Sequence, residues 1–320
     1  MHAASVIMLS WAMIGAARFF SDVPAGLTAG LLALLVAVIG LPHGAADHRF
    51  ARPRLERLLG TAWLPVFLAG YVAVAGAVVC GWFVAPAVTI VVFFLASAWH
   101  FGAEEPQGVL GPPWLRPVCQ FARGGLVIWV PLVTHGGEVG EILARTAPPG
   151  SGPAISQALA VLTACSWIML PIAATAWILQ ALAAGARPGW TRWRSLVDTA
   201  LVGSLVVLFA VASPLVGFLV YFCGWHSARG LGRLRIELGE NWPELAASLF
   251  PLTAGAIALI GLVAWLALGG AGWNDTLIRT TFVGLSAVAI PHLLLHGCAP
   301  LFDAAARRRS TRPLAIGSPA

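Results

Sequence analysis

The residues of this sequence best able to do chemistry are its histidines: His2, His43, His48, His100, His135, His226, His292 and His296. Four of them, His43, His100, His226 and His296, fall at or near the ends of separate apolar stretches, and His292 lies one helical turn before His296 on the same face. Neutral imidazoles gathered at one depth are what a metal site needs, and imidazole suits iron, zinc, copper and nickel. His43 is followed four residues later by Asp47, and His100 by Glu104. If each helix continues, this spacing brings a carboxylate to the ring's face, to accept its second N–H or to ligate directly. His48 reads as a further supporting group beside the ligands. His135 falls at the opposite end of the stretches and reads as structural, or as a contact at the far end of a substrate channel. His2 reads as part of a disordered terminus.

Around the histidines lie Trp99, Phe101, Phe218, Tyr221, Phe222 and Trp225. They fit either an interfacial aromatic belt or the wall of a narrow apolar channel leading to the metal. Gly40, Gly44 and Gly102 allow close helix approach beside the ligand candidates. Pro42 and Pro291, each directly before a histidine, can bend a helix and aim the ring.

The elements that position these residues are read from composition. Of 320 residues, 59% are hydrophobic and 10% charged, with a mean hydropathy of +0.85. A soluble domain carries about a quarter charged residues, so this chain lacks the charge to cover a water-facing surface. Ten apolar stretches are near the roughly 20 residues a membrane-spanning helix requires: 3–20, 25–43, 61–81, 84–101, 117–135, 154–185, 196–213, 214–230, 247–269 and 278–298. The Ser213-Pro214 step separates the seventh from the eighth.

All 19 basic residues are arginines. Fifteen fall in alternate connections and the tail, three (Arg18, Arg145, Arg279) on the other side, and Arg123 inside the fifth stretch. The expectation is an all-α, polytopic transmembrane bundle of about ten helices (eight to ten) with both termini cytoplasmic, in the cell's inner (plasma) membrane. It comprises a single domain over 1–302 and a basic, disordered tail over 303–320. Basic residues flanking apolar spans report topology, not a nucleic-acid partner. The five cysteines sit in or beside apolar stretches without a CxxC pair and read as core residues. No Gly-rich fingerprint for NAD(P) is present.

Five blocks carry a family resemblance: GLPHGAADH (40–48), SAWHFGAEE (97–105), ARGGLVIWVPLVTHGGEVGEI (122–142), YFCGWHSARG (221–230) and IPHLLLH (290–296). In this order they resemble the Brp/Blh family of membrane β-carotene 15,15′-dioxygenases, over about residues 25–300. The resemblance implies a helical membrane enzyme that uses Fe(II) and O₂ to cut β-carotene, or a related carotenoid, at its central double bond into two retinals. It also implies histidine ligands, and catalytic roles, at His43, His100 and His226. The family pattern in the fourth block is W-H-S-x-R-H, and here its last position is Gly230. The remaining ligand is then expected from His292 or His296, or the metal is held by three protein ligands. A different histidine-metal membrane oxidoreductase acting on a lipid would show more HxxxH and HxxHH boxes. A non-catalytic carotenoid- or rhodopsin-associated protein is the other alternative, and the absence of any lysine excludes a Schiff-base pigment.

Overall fold

The computed structural model describes residues 2–19, 25–104, 114–182, 192–267 and 273–310, and these are almost entirely helical. The ends of the expected stretches 3–20, 154–185 and 247–269, together with Glu105, Arg187 and tail residues 311–320, lie outside the described residues.

The chain begins with α1 (His2–Phe19), α2 (Ala25–Leu35), a π-helical turn at Val36–Gly40, α3 (Leu41–Ala45) and α4 (Asp47–Leu59). A 3₁₀ turn at Gly60–Ala62 leads to α5 (Trp63–Val84) and α6 (Pro86–Glu104). Next come α7 (Arg116–Gly124), α8 (Leu126–Thr134), α9 (Gly136–Thr146), α10 (Gly152–Leu182), α11 (Arg192–Val211) and α12 (Pro214–Leu219). A second π segment, Val220–Ser227, precedes α13 (Ala228–Leu238), α14 (Trp242–Ala267) and α15 (Trp273–Ser310).

Five helical runs among the described residues are long and apolar enough to cross a membrane: Gly26–Val84, Pro86–Glu104, Gly152–Leu182, Trp242–Trp265 and Asp275–Ala299. The pair α7 and α8, bent by 56°, makes a sixth if taken together. The first run does not cross as one rod. At 1.5 Å per residue it would be about 90 Å long, some three times the hydrocarbon core. It turns at Gly60, whose φ of 57° suits glycine, and α4 then packs against α5. The step at Ser213 breaks the chain as its proline requires, with Ser213 at ψ 148°. No break marks residue 302, since α15 continues through Ser310 and His296 sits within it.

Helix α15 is the hub, packing on α2, α4, α5, α6, α9 and α14. Several buried polar side chains are matched in pairs between helices, as a water-free interior favours. Trp82 donates to Ser286 (2.9 Å), tying α5 to α15, and Trp11 to Ser204 (3.0 Å), tying α1 to α11. Arg123 donates to Gln180 (2.5 Å) and Gln180 to Asp198 (3.0 Å), joining α7, α10 and α11. The backbones of α6 and α7 touch where Gly102 faces Gln120 and Gly124 faces Ala98 and Gly102; a Cβ at either glycine would meet main chain.

Candidate metal centre

Four helical segments far apart in sequence deliver one imidazole each to a single point. His43 comes from α3, just after the first π turn. His100 comes from the last turns of α6, His226 from the second π segment and His292 from α15. Ring centroids lie 5.0 Å apart for His43–His226, 5.1 Å for His100–His226, 5.3 Å for His43–His292 and 4.7 Å for His100–His292. His100, His226 and His292 are buried. A π turn adds a residue to the helical repeat and so re-aims the side chains that follow, and such turns recur at functional sites. Neither π turn has a signal in the sequence.

The donor atoms suit a cation. Nε2 of His100 and of His292 are 3.2 Å apart. Two imidazole nitrogens each about 2.0–2.1 Å from one ion, at angles of about 90–110°, would be separated by about 2.9–3.4 Å. The ligand atoms of His43, His100 and His292 all lie within 4.8 Å of one another. Nε2 of His43 is buried with no hydrogen-bond partner, an arrangement that costs free energy unless something accepts its lone pair. Asp47, 2% exposed, stands behind the cluster. Its Oδ1 accepts from Nδ1–H of His292 at 2.7 Å and lies 3.4 Å from Nε2 of His296. That bond fixes the His292 tautomer, leaving Nε2 free to ligate. Asp47, His292 and His296 form a second, overlapping group that could hold an ion.

Tyr71 was not singled out by the sequence reading. Its hydroxyl donates to Oδ2 of Asp47 (3.1 Å), with the Val288 carbonyl at 2.8 Å. The signal was there: it is one of only two tyrosines and sits mid-way along an apolar stretch.

The other sequence candidates separate. Glu104 has the spacing of a supporting carboxylate, but it faces Arg233 (3.5 Å), and its backbone carbonyl accepts from Arg229. Its role at the described structure is to tie α6 to α13, because α6 runs straight past His100 towards those arginines. Nδ1–H of His48 donates to the Ala45 carbonyl (2.6 Å), so that ring closes the turn into α4. His135 stands at the distant end, with Nε2 3.1 Å from the Ala210 carbonyl.

Phe101, Phe218 and Phe222 line an apolar cavity that His43, His100, His226 and His292 also border. Trp99, Tyr221 and Trp225 do not line it. Trp99 is 51% exposed on the outer face of α6, as an interfacial residue would be. Tyr221 packs behind Phe101 (5.2 Å), and Trp225 is stacked on His2 (5.5 Å) and covered by Arg229 (4.7 Å).

Of the small residues, Gly40 admits the ring of Phe222 against the first π turn, where a Cβ would stand 2.6 Å from it, whereas around Gly44 nothing comes closer than 3.9 Å. Gly230 lies beside the cluster: a Cβ there would run into the His43 ring. The position where the family pattern carries histidine thus borders the proposed centre, and in this chain the His43 ring occupies that space.

The fold and the site define an all-helical membrane protein with a buried histidine–carboxylate group able to hold a metal ion. The chain belongs to the β-carotene 15,15′-dioxygenase family, whose model matches residues 34–298. It is 31% identical over 317 residues to the probable β-carotene 15,15′-dioxygenase Blh of Halobacterium salinarum, covering 90% of this chain and 88% of that one. To the β-carotene 15,15′-dioxygenase of uncultured marine bacterium 66A03 it is 27% identical over 271 residues, covering 82% and 90%. To the probable dioxygenase Brp of Halobacterium salinarum it is 26% identical over 310 residues, covering 86% and 84%. No solved structure matches the chain.

Proposed function

We propose that this protein cleaves the central double bond of β-carotene, or of a closely related carotenoid, with O₂ to give two retinal molecules inside the membrane. The observation that carries this reading is the meeting of His43, His100, His226 and His292 on the lining of a cavity walled by apolar and aromatic side chains. The reaction balances without a reductant: one C=C bond breaks, two C=O bonds form, and both oxygen atoms of O₂ enter the products.

Fe(II) bound by these histidines supplies the activation of O₂ that a polyene by itself does not undergo. His43, His100, His226 and His292 would hold it. Asp47 holds the His292 ring in the ligating tautomer, and His296 and Tyr71 hold Asp47. Phe218 and Phe222, stacked at 5.1 Å, and Phe282 flank the polyene and keep water from the reacting bond. A substrate dissolved in lipid reaches such a site without passing through water, so the enzyme contributes position and an apolar, shaped surrounding.

The arginine distribution supports about ten passes with both termini cytoplasmic, in the cell's inner membrane. On this reading Gly26–Val84 counts as two crossings joined by α4. The histidine centre then lies near the cytoplasmic side, and residues 303–320 form a basic cytoplasmic extension.

The test is expression in a bacterium that makes β-carotene. The orange cells are expected to bleach as retinal accumulates. His43→Ala and His100→Ala should each remove both retinal formation and bound iron while the protein remains in the membrane. Unchanged pigment with the wild-type protein, or full activity in both variants, would refute the assignment.

A further inference from the structure

The cavity has a built end as well as a metal end. Along α15 its wall is formed by Phe282, Leu285, Ala289 and His292. Ten residues of helix separate His292 from Phe282, about 15 Å at 1.5 Å per residue. At the far end Val139, Ile142 and Leu143 of α9 line the cavity, and all three are buried. Helix α9 is anchored there. Arg279 of α15 donates to the carbonyls of Arg145 (3.0 Å) and Ala147 (3.4 Å), and Arg145 pairs with Asp275 (3.8 Å). Arg279 lies thirteen residues before His292, about 20 Å along the helix, so the anchor sits just beyond the cavity's end.

We propose that α9, through Val139, Ile142 and Leu143, is the stop that measures the substrate and decides which double bond lies at the histidines. The inference rests on the carotenoid cleavage proposed above. An all-trans polyene is a stiff rod and cannot coil to take up spare length. With one end against a fixed stop, the bond that reaches the metal centre is set by the distance between them. A symmetric polyene as long as a hydrocarbon core of about 30 Å has halves of about 15 Å, the length of the wall between Phe282 and His292. An enzyme that cuts in the middle needs such a stop on at least one side, because the conjugated bonds on either side of the centre are chemically similar.

The test compares the aldehydes released from β-carotene by wild-type protein, Leu143→Phe and Leu143→Ala, each in the full chain and each checked for membrane yield and bound iron. Wild-type should release retinal alone. Leu143→Phe raises the floor and should lower retinal output about 10- to 100-fold, as overpacking of a filled site does, while a carotenoid shortened at one end is still cut. Leu143→Ala deepens the floor and should add an unequal pair of aldehydes, one longer and one shorter than retinal. Retinal as the only product at wild-type rate in both variants, with iron retained, overturns the proposal. If Leu143→Phe fails to reach the membrane, Leu143→Ala and Val139→Ala decide by the same product analysis. If wild-type itself releases no aldehyde, the cleavage reading has failed, and the stop is judged on β-carotene retained by the purified protein. Retention reduced by Leu143→Phe then supports a measuring floor, and unchanged retention overturns it.

Discussion

The ends of α3 and α6 carry the same histidine–carboxylate spacing and reach opposite outcomes. After His43 the backbone stays right-handed helical through a one-residue turn at Ala46 (φ −65°, ψ −15°), and Asp47 begins α4. Its carboxylate meets His292 and His296 of α15, on which α4 packs, and is buried with Tyr71 at its back. After His100 the helix runs on without a turn, so Glu104 sits one turn further out and meets the arginines of α13. The spacing supplies a carboxylate near a histidine; the helix packed opposite decides whether that carboxylate joins the histidine cluster or ties two elements together.

The strongest way to break this comparison is Asp47→Ala. It leaves His292 and His296 without their acceptor, and a buried donor left unpaired costs about 1–3 kcal/mol. Metal affinity is expected to fall by about 10- to 100-fold, as for other supporting carboxylates, with retinal formation lost. Elemental analysis of the purified protein and its unfolding midpoint read both effects. Wild-type iron content in this variant would remove Asp47 from the centre.

Gly230→Leu probes the space beside His43. The new side chain cannot share that space with the ring, and overpacking of about 1–3 kcal/mol is expected. Bound iron should drop with it while membrane yield is kept. Iron content equal to wild type would show that His43 ligates from another ring position.

Tyr71→Phe removes one hydrogen bond to Asp47, worth about 0.5–1.5 kcal/mol. Iron affinity is expected to fall less than in Asp47→Ala. Combined with Asp47→Ala the loss should not add, because the two residues act on one atom group; a fully additive double variant would separate them.

The smallest effect belongs to Glu104→Gln. Its pair with Arg233 is partly exposed, and such pairs contribute about 0–1 kcal/mol. Iron content should be unchanged, with at most a slight loss of thermal stability. Iron loss matching that of Asp47→Ala would erase the distinction between the two motifs.

Several features were legible in the order of residues. Scarce charge and long apolar stretches require an environment without water, and in that environment only helices or closed barrels satisfy the backbone. The helical class followed, as did the break before Pro214. His43, His100 and His226 stood out because imidazoles are expensive at membrane depth and were placed at corresponding helix ends. The block resemblance named the family to which the chain belongs.

Other features appeared only with the packed helices. The two π turns shift side-chain direction by up to about 100° per added residue, and nothing in residue type announces them. They place His43 and His226 on the cluster. Trp99 and Phe101 are neighbours in sequence, yet one faces outward and the other lines the cavity. Asp47 and His292 are 245 positions apart in sequence, yet their polar atoms are hydrogen-bonded at 2.7 Å, whereas Asp47 and Glu104 carry identical local spacing and different partners. Local sequence fixes which residues are costly to bury. Which of them share a proton or face one ion depends on rotation and crossing of helices, and those are set by contacts between distant segments.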